Sequence, residues 1–229
     1  MSGQLPLQIR FRDDSTFAGF EPGRNAEAVH YLQTGFAAGQ SVYLWGGAGA
    51  GKTHLLESVC RLAAARGESA VYLPLRQRAD LAPDLLDGLE ALALVCVDDI
   101  DAIAGEADWE AALFHLFNRV RAGGGRIAIA GAASPRALGL GLPDLATRLS
   151  WGLVFQLQPL LDDEKARVLR QRARARGMEM PEAVARYLLQ RHARDMGALF
   201  ELLERLDRAS LAAQRRLTVP FVREVAGED

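Results

Sequence analysis

The segment Gly46–Thr53 constrains this chain more than any other, because its spacing of glycines, lysine and threonine is that of a phosphate-binding loop. It reads Gly-Gly-Ala-Gly-Ala-Gly-Lys-Thr and fits the pattern G-x-x-x-x-G-K-[ST]. The pattern is informative only between a strand and a helix. Here the apolar run Val42–Trp45 precedes it, and a helix predicted over Lys52–Ala65 follows it. The segment therefore predicts a nucleoside-triphosphate site at the end of a strand.

The residue types of this loop suit the chemistry of a triphosphate. Glycines let the backbone curl so that its N–H groups point at phosphate oxygens, and the following helix adds its positive N-terminal end. Lys52 is expected to reach the β- and γ-phosphates, and the Thr53 hydroxyl to bind Mg²⁺. His54 comes next and is also expected to pack within the helix. The residues predicted here to contact ADP or ATP are Gly46, Gly47, Ala48, Gly49, Ala50, Gly51, Lys52, Thr53 and His54.

A second feature of a phosphate site is the acidic end of the apolar run Leu94–Val97, which continues as Asp98-Asp99-Ile100-Asp101. A carboxylate in this place beside a P-loop holds the magnesium shell, so Asp98 is predicted to act with Thr53 at the metal. Asp99 is predicted to orient or activate the attacking water. The alternative is an acidic cluster that caps the next helix, for which Asp101 is well suited.

Apolar runs of strand length alternate with helical patterns until Pro159, after which only helical patterns follow. This order predicts a parallel sheet covered on both faces, followed by helices alone. We predict an N-terminal tail over 1–19, an α/β P-loop domain with a five-stranded parallel sheet over 20–160, and a small all-helical lid domain over 161–229. The predicted strands are Val42–Trp45, Ala70–Leu73, Leu94–Val97, Ile127–Ala130 and Leu153–Leu157. The predicted helices include Lys52–Ala65, Trp109–Arg121, Asp162–Arg176, Pro181–Arg191, Met196–Ala213 and Val219–Val225.

Composition excludes several classes of protein. Hydrophobic residues make up 49% and charged residues 24%, as in chains that bury a core. The formal net charge of -2 gives no strong field for nucleic acid, and no apolar run reaches the ~18–20 residues that span a bilayer. The N-terminus lacks the apolar stretch of a secretory signal, and Cys60 and Cys96 have no metal-ligand spacing. We therefore expect a cytoplasmic protein without a membrane partner, with both thiols buried and reduced.

Several segments resemble the Hda family, which belongs to the DnaA branch of the AAA+ proteins and regulates the bacterial replication initiator DnaA. Gly51–Leu56 and Val97–Ile100 are similar to the whole DnaA branch. Leu140–Gly152, Leu206–Ser210 and Leu217–Val222 are similar to Hda in particular, so that the resemblance covers essentially the whole chain. No segment follows residue 229 that could form the DNA-binding helix-turn-helix domain with which DnaA ends. We therefore expect a regulator with an AAA+ fold and not an initiator.

The resemblance implies roles for residues whose chemistry alone leaves alternatives open. Arg148 lies where the family has its arginine finger, which reaches the γ-phosphate of a neighbouring subunit; the residues alone allow a salt bridge at a helix end equally well. Arg194 matches the sensor-2 arginine, which reaches from the lid to the bound phosphates, and a solvated face is the alternative. Phe17, Phe20 and Asn25 lie in the family's adenine-binding segment, where core packing is an alternative for both phenylalanines.

The N-terminal tail is similar to the peptide by which Hda proteins bind the sliding clamp. It contains Gln4-Leu5-Pro6-Leu7, in which glutamine and apolar side chains would fill a pocket on the clamp, the β subunit of DNA polymerase. Pro6 lowers the entropy lost when the peptide becomes ordered. A disordered tail is the alternative. The implied partners are DnaA and this clamp, with DNA (and hence the nucleoid) reached indirectly through the clamp and with self-assembly left open.

One position departs from the family pattern. Ala132 occupies the place of the polar sensor-1 residue, and a methyl group cannot hydrogen-bond a phosphate or a water, although Ser134 is a nearby hydroxyl. We therefore expect weak hydrolysis by the chain itself and, from the resemblance, a negative regulator of replication initiation that stimulates ATP hydrolysis by DnaA through Arg148. Two alternatives remain open. One is an autonomous AAA+ ATPase such as a helicase loader, which Asp99 favours, and the other is an adaptor that binds nucleotide only to stay folded.

Overall fold

A computed structural model describes residues 15–78, 81–191 and 196–227. The chain packs as two compact units, of which the first ends at Gln158 and the second begins at Pro159. Each unit encloses hydrophobic core of its own. Within the described ranges, no helix is both long enough and apolar enough to cross a membrane.

The described part of the first unit is built on a sheet of five parallel strands. The strands are β1 (Ser41–Trp45), β2 (Ala70–Pro74), β3 (Leu94–Asp98), β4 (Arg126–Gly131) and β5 (Leu153–Gln156). Their spatial order is β2-β3-β4-β1-β5, so that β2 and β5 form the two edges. The three middle strands are almost wholly buried, as expected for a parallel sheet with helices on both faces. The predicted α/β fold with a five-stranded parallel sheet is confirmed.

Helices cover the two faces of this sheet. They are α1 (Ala26–Thr34), α2 (Lys52–Ala65), α3 (Ala107–Ala122) and α4 (Pro143–Leu149). Alternate side chains of a strand point to opposite faces. Val42 and Leu44 of β1 therefore pack in the core formed by α1 and α2, and Tyr43 packs in the core formed by α3 and α4. Cys60 and Cys96 are free thiols buried in the first of these cores, as expected.

The carboxyl ends of the strands meet at one edge of the sheet, where parallel α/β folds place their ligands. Trp45 at the end of β1 is in register with Gly131 at the end of β4. Pro74 at the end of β2 is in register with Asp98 at the end of β3. The P-loop after β1, the acidic residues at the end of β3 and residue 132 after β4 consequently share this edge.

Within its described residues, the second unit consists of four helices: α5 (Asp162–Ala175), α6 (Glu182–Arg191), α7 (Met196–Ala213) and α8 (Val219–Ala226). Leu169, Leu188, Leu203 and Phe221 lie in its hydrophobic core and are at most 2% exposed. Thr218 begins the last helix, since its side-chain oxygen accepts a hydrogen bond from the N–H of Phe221. The predicted small helical lid domain is confirmed.

Candidate functional site

Two positions of the P-loop require glycine, because other groups of the chain lie where a side chain would begin. Gly51 ends the loop at φ 93°, a left-handed conformation that side chains disfavour. A Cβ atom at this position would lie 2.5 Å from the Phe20 ring. A Cβ atom on Gly46 would lie 2.5 Å from the carbonyl oxygen of Leu157. The loop can take this path only because both residues lack side chains.

The backbone of the loop presents unpaired N–H donors at the start of α2. The N–H of Ala50 donates to the carbonyl of Gly47 (3.3 Å). Other N–H groups of the loop donate no hydrogen bond to a described residue; they belong to Gly47, Ala48, Gly49, Gly51, Lys52 and Thr53. Backbone donors need partners, and a helix N-terminus adds positive potential. The arrangement therefore suits the oxygens of a phosphate chain.

Lys52 lies across the loop. Its ammonium Nζ donates to the carbonyl oxygens of Gly46 (2.7 Å) and Gly47 (3.1 Å). A compact ammonium with several donors can hold the loop and still attract a phosphate, which a planar guanidinium does less well. The role expected for Lys52 at the β- and γ-phosphates stays a prediction.

The carboxylate of Asp98 links the P-loop helix to the sheet. Asp98 is 1% exposed, and its Oδ2 accepts hydrogen bonds from the Thr53 hydroxyl (2.6 Å) and from the Tyr72 hydroxyl (2.8 Å). Its Oδ1 accepts from the N–H of Asp99 (2.9 Å). Burial and the neighbouring Asp98 raise the pKa of Tyr72, so that this hydroxyl remains a donor. The structure thus brings together the two residues predicted at the metal.

This pair fits a magnesium ion better than a metal held by protein alone. Mg²⁺ is bound in proteins by one or two oxygen side chains together with water and phosphate oxygens. Thr53 and Asp98 supply two such oxygens at hydrogen-bond distance from each other. Among the described residues, no cluster of three or more histidine, cysteine, aspartate or glutamate side chains could hold a metal. A magnesium ion here would be held by these two residues and by the phosphates of the nucleotide.

Asp99 differs from its neighbour in both backbone and environment. Its φ of 54° is left-handed, which is uncommon for a residue other than glycine. Its carboxylate lies 3.6 Å from the Arg76 guanidinium, and its side chain is 28% exposed. Burial and the nearby Asp98 raise the pKa of Asp99, while Arg76 acts in the opposite direction. A partly desolvated carboxyl beside a phosphate site is suited to orienting a water.

The alternative in which Asp101 caps the next helix is not what the structure has. A short 3-10 turn, Ile100–Ile103, follows β3 directly, and α3 begins only after it. Asp101 lies inside this turn, where its Oδ1 accepts from the N–H of Ala132 (3.0 Å) and its Oδ2 accepts from Arg76 (3.0 Å). Asp101 therefore ties the end of β3 to the residue after β4.

The position expected for sensor 1 offers no polar side chain. Ala132 is exposed, and its N–H is already used by Asp101. The nearby Ser134 precedes a 3-10 turn, Pro135–Ala137, and its carbonyl accepts from the N–H of Ala137 (2.8 Å). A hydrogen bond from the side chain of residue 132 to a phosphate or a water is excluded by its chemistry.

Arg148 lies near the end of α4, and its contacts among the described residues are with aromatic rings. Its Cζ lies 3.7 Å from the centroid of the Trp151 ring and 5.6 Å from that of Phe114. Its Nε is buried without a hydrogen-bond partner. Within the described residues, Arg148 forms no ion pair, so the salt bridge that the sequence left open is not observed there. Its contacts are separate from those of the P-loop and Asp98.

The segment before β1 packs against the P-loop. The rings of Phe20 and His54 lie 5.2 Å apart, and His54 Nε2 lies 2.8 Å from the carbonyl oxygen of Thr16. Asn25 is buried and holds the backbone of Gln158, donating to its carbonyl (2.9 Å) and accepting from its N–H (2.8 Å). Phe17 and Phe20 pack against the core formed by α1 and α2. Packing accounts for the contacts of these residues within the described chain.

Some predicted site residues lie outside the described ranges, and some residues that contact the site residues were not predicted. The predicted residues outside the described ranges are Arg194 and the tail residues Gln4, Leu5, Pro6 and Leu7, which form the first group. Tyr72, Arg76 and Trp151 belong to the second. Tyr72 could have been found, because it is a polar residue of a strand-like run that ends beside the acidic strand end. The contacts of Arg76 and Trp151 carry no comparable signal in the sequence.

Comparison with known families gives two matches that together span most of the chain. A family model described as "Bacterial DnaA ATPase domain" matches residues 12–156, which is more than half of the chain. A second family model, described as "Hda, lid domain", matches residues 162–226.

Solved structures of DnaA share the fold at low sequence identity. Domain III of the replication initiation protein DnaA from Thermotoga maritima is 20% identical, with a TM-score of 0.80 over 96% of this chain and 98% of that chain. The AMPPCP-bound DnaA from Aquifex aeolicus is 20% identical, with a TM-score of 0.72 over 84% and 65% of the respective chains. A replication initiator DnaA bound to AMPPCP and single-stranded DNA is 20% identical, with a TM-score of 0.70 over 89% and 68%. At these identities the likeness establishes the fold.

Proposed function

The chain belongs to the bacterial DnaA ATPase family, and from that membership we propose that it is a negative regulator of replication initiation that stimulates ATP hydrolysis by DnaA. In this proposal the P-loop binds ADP or ATP with Mg²⁺, and Gln4–Leu7 holds the protein on the sliding clamp. Arg148 completes the ATP site of a DnaA molecule. Hydrolysis then converts DnaA to its ADP form and prevents a second initiation.

The observation that carries the proposal is that the Arg148 guanidinium forms no ion pair with a described residue. A cation that stabilises a transferring phosphoryl group is most effective when no carboxylate opposes its charge. Arg148 meets this requirement among the described residues, since its contacts are with the rings of Trp151 and Phe114. The match of residues 162–226 to the Hda lid domain adds support, because it relates the second unit to the same regulator.

We expect this chain to bind ADP or ATP but to hydrolyse its own bound ATP slowly. The free N–H groups of the loop and Lys52 are suited to holding phosphates, and Thr53 with Asp98 to holding Mg²⁺, which screens the phosphate charge when bound. Ala132 offers only a backbone N–H near the end of β4, and Asp101 accepts it. The site therefore lacks a side chain to position a γ-phosphate there. The DnaA from Aquifex aeolicus was solved with AMPPCP bound, which supports adenine nucleotide as the ligand.

Substitution of Arg148 tests the proposal. Steady-state ATP hydrolysis by DnaA on DNA-loaded clamp would be measured with the wild-type protein and with Arg148→Ala, Arg148→Lys and Arg136→Ala. Stimulation should be lost in Arg148→Ala and largely lost in Arg148→Lys, because a lysine cannot bind phosphoryl oxygens in bidentate geometry. Arg136 is exposed and makes no described side-chain contact, so it is the matched control and should stimulate fully. Full stimulation by Arg148→Ala, with clamp binding retained, would contradict the finger. It would favour an adaptor that binds nucleotide only to stay folded.

The tail proposal has a separate test. Deletion of residues 1–8 should abolish association with the clamp in a pull-down and leave nucleotide binding unchanged, because the P-loop contacts lie elsewhere in the chain. A Gln4→Ala, Leu7→Ala double variant should reproduce the loss, and Gln8→Ala should not. Normal clamp binding after the deletion would contradict the role of the tail.

Asp99 favours a second candidate, an autonomous ATPase. Its carboxylate is partly buried beside Asp98 and is suited to orienting a water. Substantial turnover by the purified protein alone, lost in Asp99→Asn, would support this candidate. Hydrolysis no faster than that of a Lys52→Ala variant, which should not bind the phosphates, would exclude it.

A further inference from the structure

The chain places Trp151 next to Arg148 through a tight turn at the end of α4. The N–H of Trp151 donates to the carbonyl of Arg148 (3.1 Å), which continues the helical path by one turn and brings the two side chains to the same side. Gly152 then allows the chain to pass close to β1, since a Cβ atom there would lie 1.8 Å from the carbonyl oxygen of Ser41. The position of Trp151 is therefore set by backbone contacts on both sides of it.

The indole ring and the guanidinium lie within stacking distance. The Arg148 Cζ is 3.7 Å from the centroid of the Trp151 ring, which is within the range of a cation–π contact. Such a contact gives the guanidinium no carboxylate partner, and because the Nε is buried, the two terminal NH₂ groups are the donors that would bind a phosphate. A carboxylate partner would instead occupy those donors and oppose the charge. The indole thus holds the guanidinium without occupying the N–H donors that would bind a phosphoryl group.

Trp151 is itself held by a second arginine. The Arg121 Cζ lies 5.0 Å from the same ring, and Arg121 Nε donates to the carbonyl of Gly39 (3.0 Å). Phe114 and Arg121 are seven residues apart on α3 and therefore share a face of that helix. One face of α3 consequently contacts both Arg148 and the indole that holds it. Trp151 remains 54% exposed, so the stack is open to solvent.

We propose that Trp151 is a positioning residue for Arg148, which holds the guanidinium in place so that it enters a partner's ATP site with its terminal donors already arranged. This inference rests on the proposed function of Arg148 as a finger in trans. Removing the ring leaves a flexible arginine that must be ordered during each encounter. The loss should appear in the rate of hydrolysis at saturation and only weakly in the affinity for DnaA.

A titration separates positioning from docking. Hydrolysis by DnaA would be measured against the concentration of the wild-type protein, Trp151→Ala, Trp151→Phe and the control Leu153→Ala. For Trp151→Ala we expect maximal stimulation to fall about tenfold, with a half-saturating concentration within about twofold of the wild type. Trp151→Phe should retain most of the maximal stimulation, because a phenyl ring keeps the cation–π contact. Leu153 is also exposed and hydrophobic, and its substitution should leave the maximum unchanged.

The same titration can overturn the inference. A rise in the half-saturating concentration of Trp151→Ala, with the maximum unchanged, would identify Trp151 as a docking contact only. The Arg148→Ala, Trp151→Ala double variant should stimulate hydrolysis by DnaA as much as Arg148→Ala alone does. A further drop in that double variant would show that Trp151 acts apart from Arg148 and would contradict the inference.

A spectroscopic measurement on the protein alone separates this inference from the proposed function. The Nε–H resonance of Arg148, assigned by its loss in Arg148→Lys, should be shifted upfield by the ring current of the indole. It should return toward the other arginine signals in Trp151→Ala and stay shifted in Trp151→Phe. An unchanged signal in Trp151→Ala would overturn the stack and with it the inference. A shifted signal in a protein that gives no stimulation of DnaA would overturn the proposed function and leave the stack in place.

Discussion

Asp98 and Asp99 are adjacent carboxylates that differ in burial and in their hydrogen-bond partners. Asp98 is fully buried, and hydrogen bonds from Thr53, Tyr72 and the next N–H satisfy its charge. Asp99 is partly buried, and its described ion-pair partner is Arg76, whose side chain is 65% exposed. An ion pair with so exposed a cation contributes little to stability. Asp99 is therefore a charged group that the folded state carries at a cost.

Replacing Asp99 with asparagine should stabilise the protein at neutral pH. Because the folded-state pKa of Asp99 is raised, its ionised form opposes folding at pH 7, and this penalty disappears as the pH falls through the folded pKa. Asparagine removes the charge and tolerates the left-handed backbone at this position. We expect a Tm for Asp99→Asn that is about 1–3 °C higher than that of the wild type at pH 7, with the difference shrinking toward pH 4. A lower Tm in the variant at pH 7, measured without nucleotide, would contradict this account.

Among the elements, α4 is entered through a segment that a buried side chain on α3 holds. Glu110 is 1% exposed, and its Oε1 accepts hydrogen bonds from the N–H groups of Gly105 (2.7 Å) and Gly141 (3.0 Å). Its Oε2 accepts from the N–H of Leu142 (2.6 Å), immediately before α4 begins. A buried carboxylate is tolerated where backbone donors surround it in this way. Glu110 therefore fixes the entry to the helix that carries Arg148.

Replacing Glu110 with glutamine should loosen that entry. An amide has a single acceptor oxygen and brings two donors, so at least one of the three backbone N–H groups loses its partner. We expect the free energy of unfolding to fall by about 2–3 kcal/mol in urea titrations and the amides of Gly141 and Leu142 to exchange faster. Asp108→Asn, an exposed neighbour on the same helix, should show neither effect. Unchanged exchange at residues 141 and 142 would show that other contacts hold the entry.

The sequence predicted the elements better than the contacts between them. The helices Lys52–Ala65 and Met196–Ala213 have the predicted bounds, because apolar periodicity and the flanking glycine or proline signals are local. The bonds of Asp101 and Glu110 reach residues about thirty positions away. Capping and periodicity rules consider only residues that are close in sequence, so the sequence offers a helix cap as the alternative for Asp101. The stack of Trp151 was equally invisible, because an aromatic residue beside an arginine has no specific pattern.

At the scale of the whole molecule, the chain combines a P-loop with an arginine, Arg148, whose described contacts lie away from that loop. The P-loop, Thr53 and Asp98 were predicted together because their spacing and strand context are characteristic of phosphate binding, and the structure brings them into contact. The use of Arg148 depends on a second protein. The sequence of one chain therefore predicts where the arginine lies, whereas the ATP that it would contact belongs to another protein.

The central claim is that Arg148 acts on ATP held by DnaA. The most direct test is a single-turnover experiment, in which γ-labelled ATP is bound to DnaA alone and this protein is added in its ADP form with DNA-loaded clamp. Release of labelled phosphate then reports only the DnaA site. We expect fast release with the wild-type protein and with Arg136→Ala, and the rate of DnaA alone with Arg148→Ala. Equal rates with the wild type and Arg148→Ala would contradict the account.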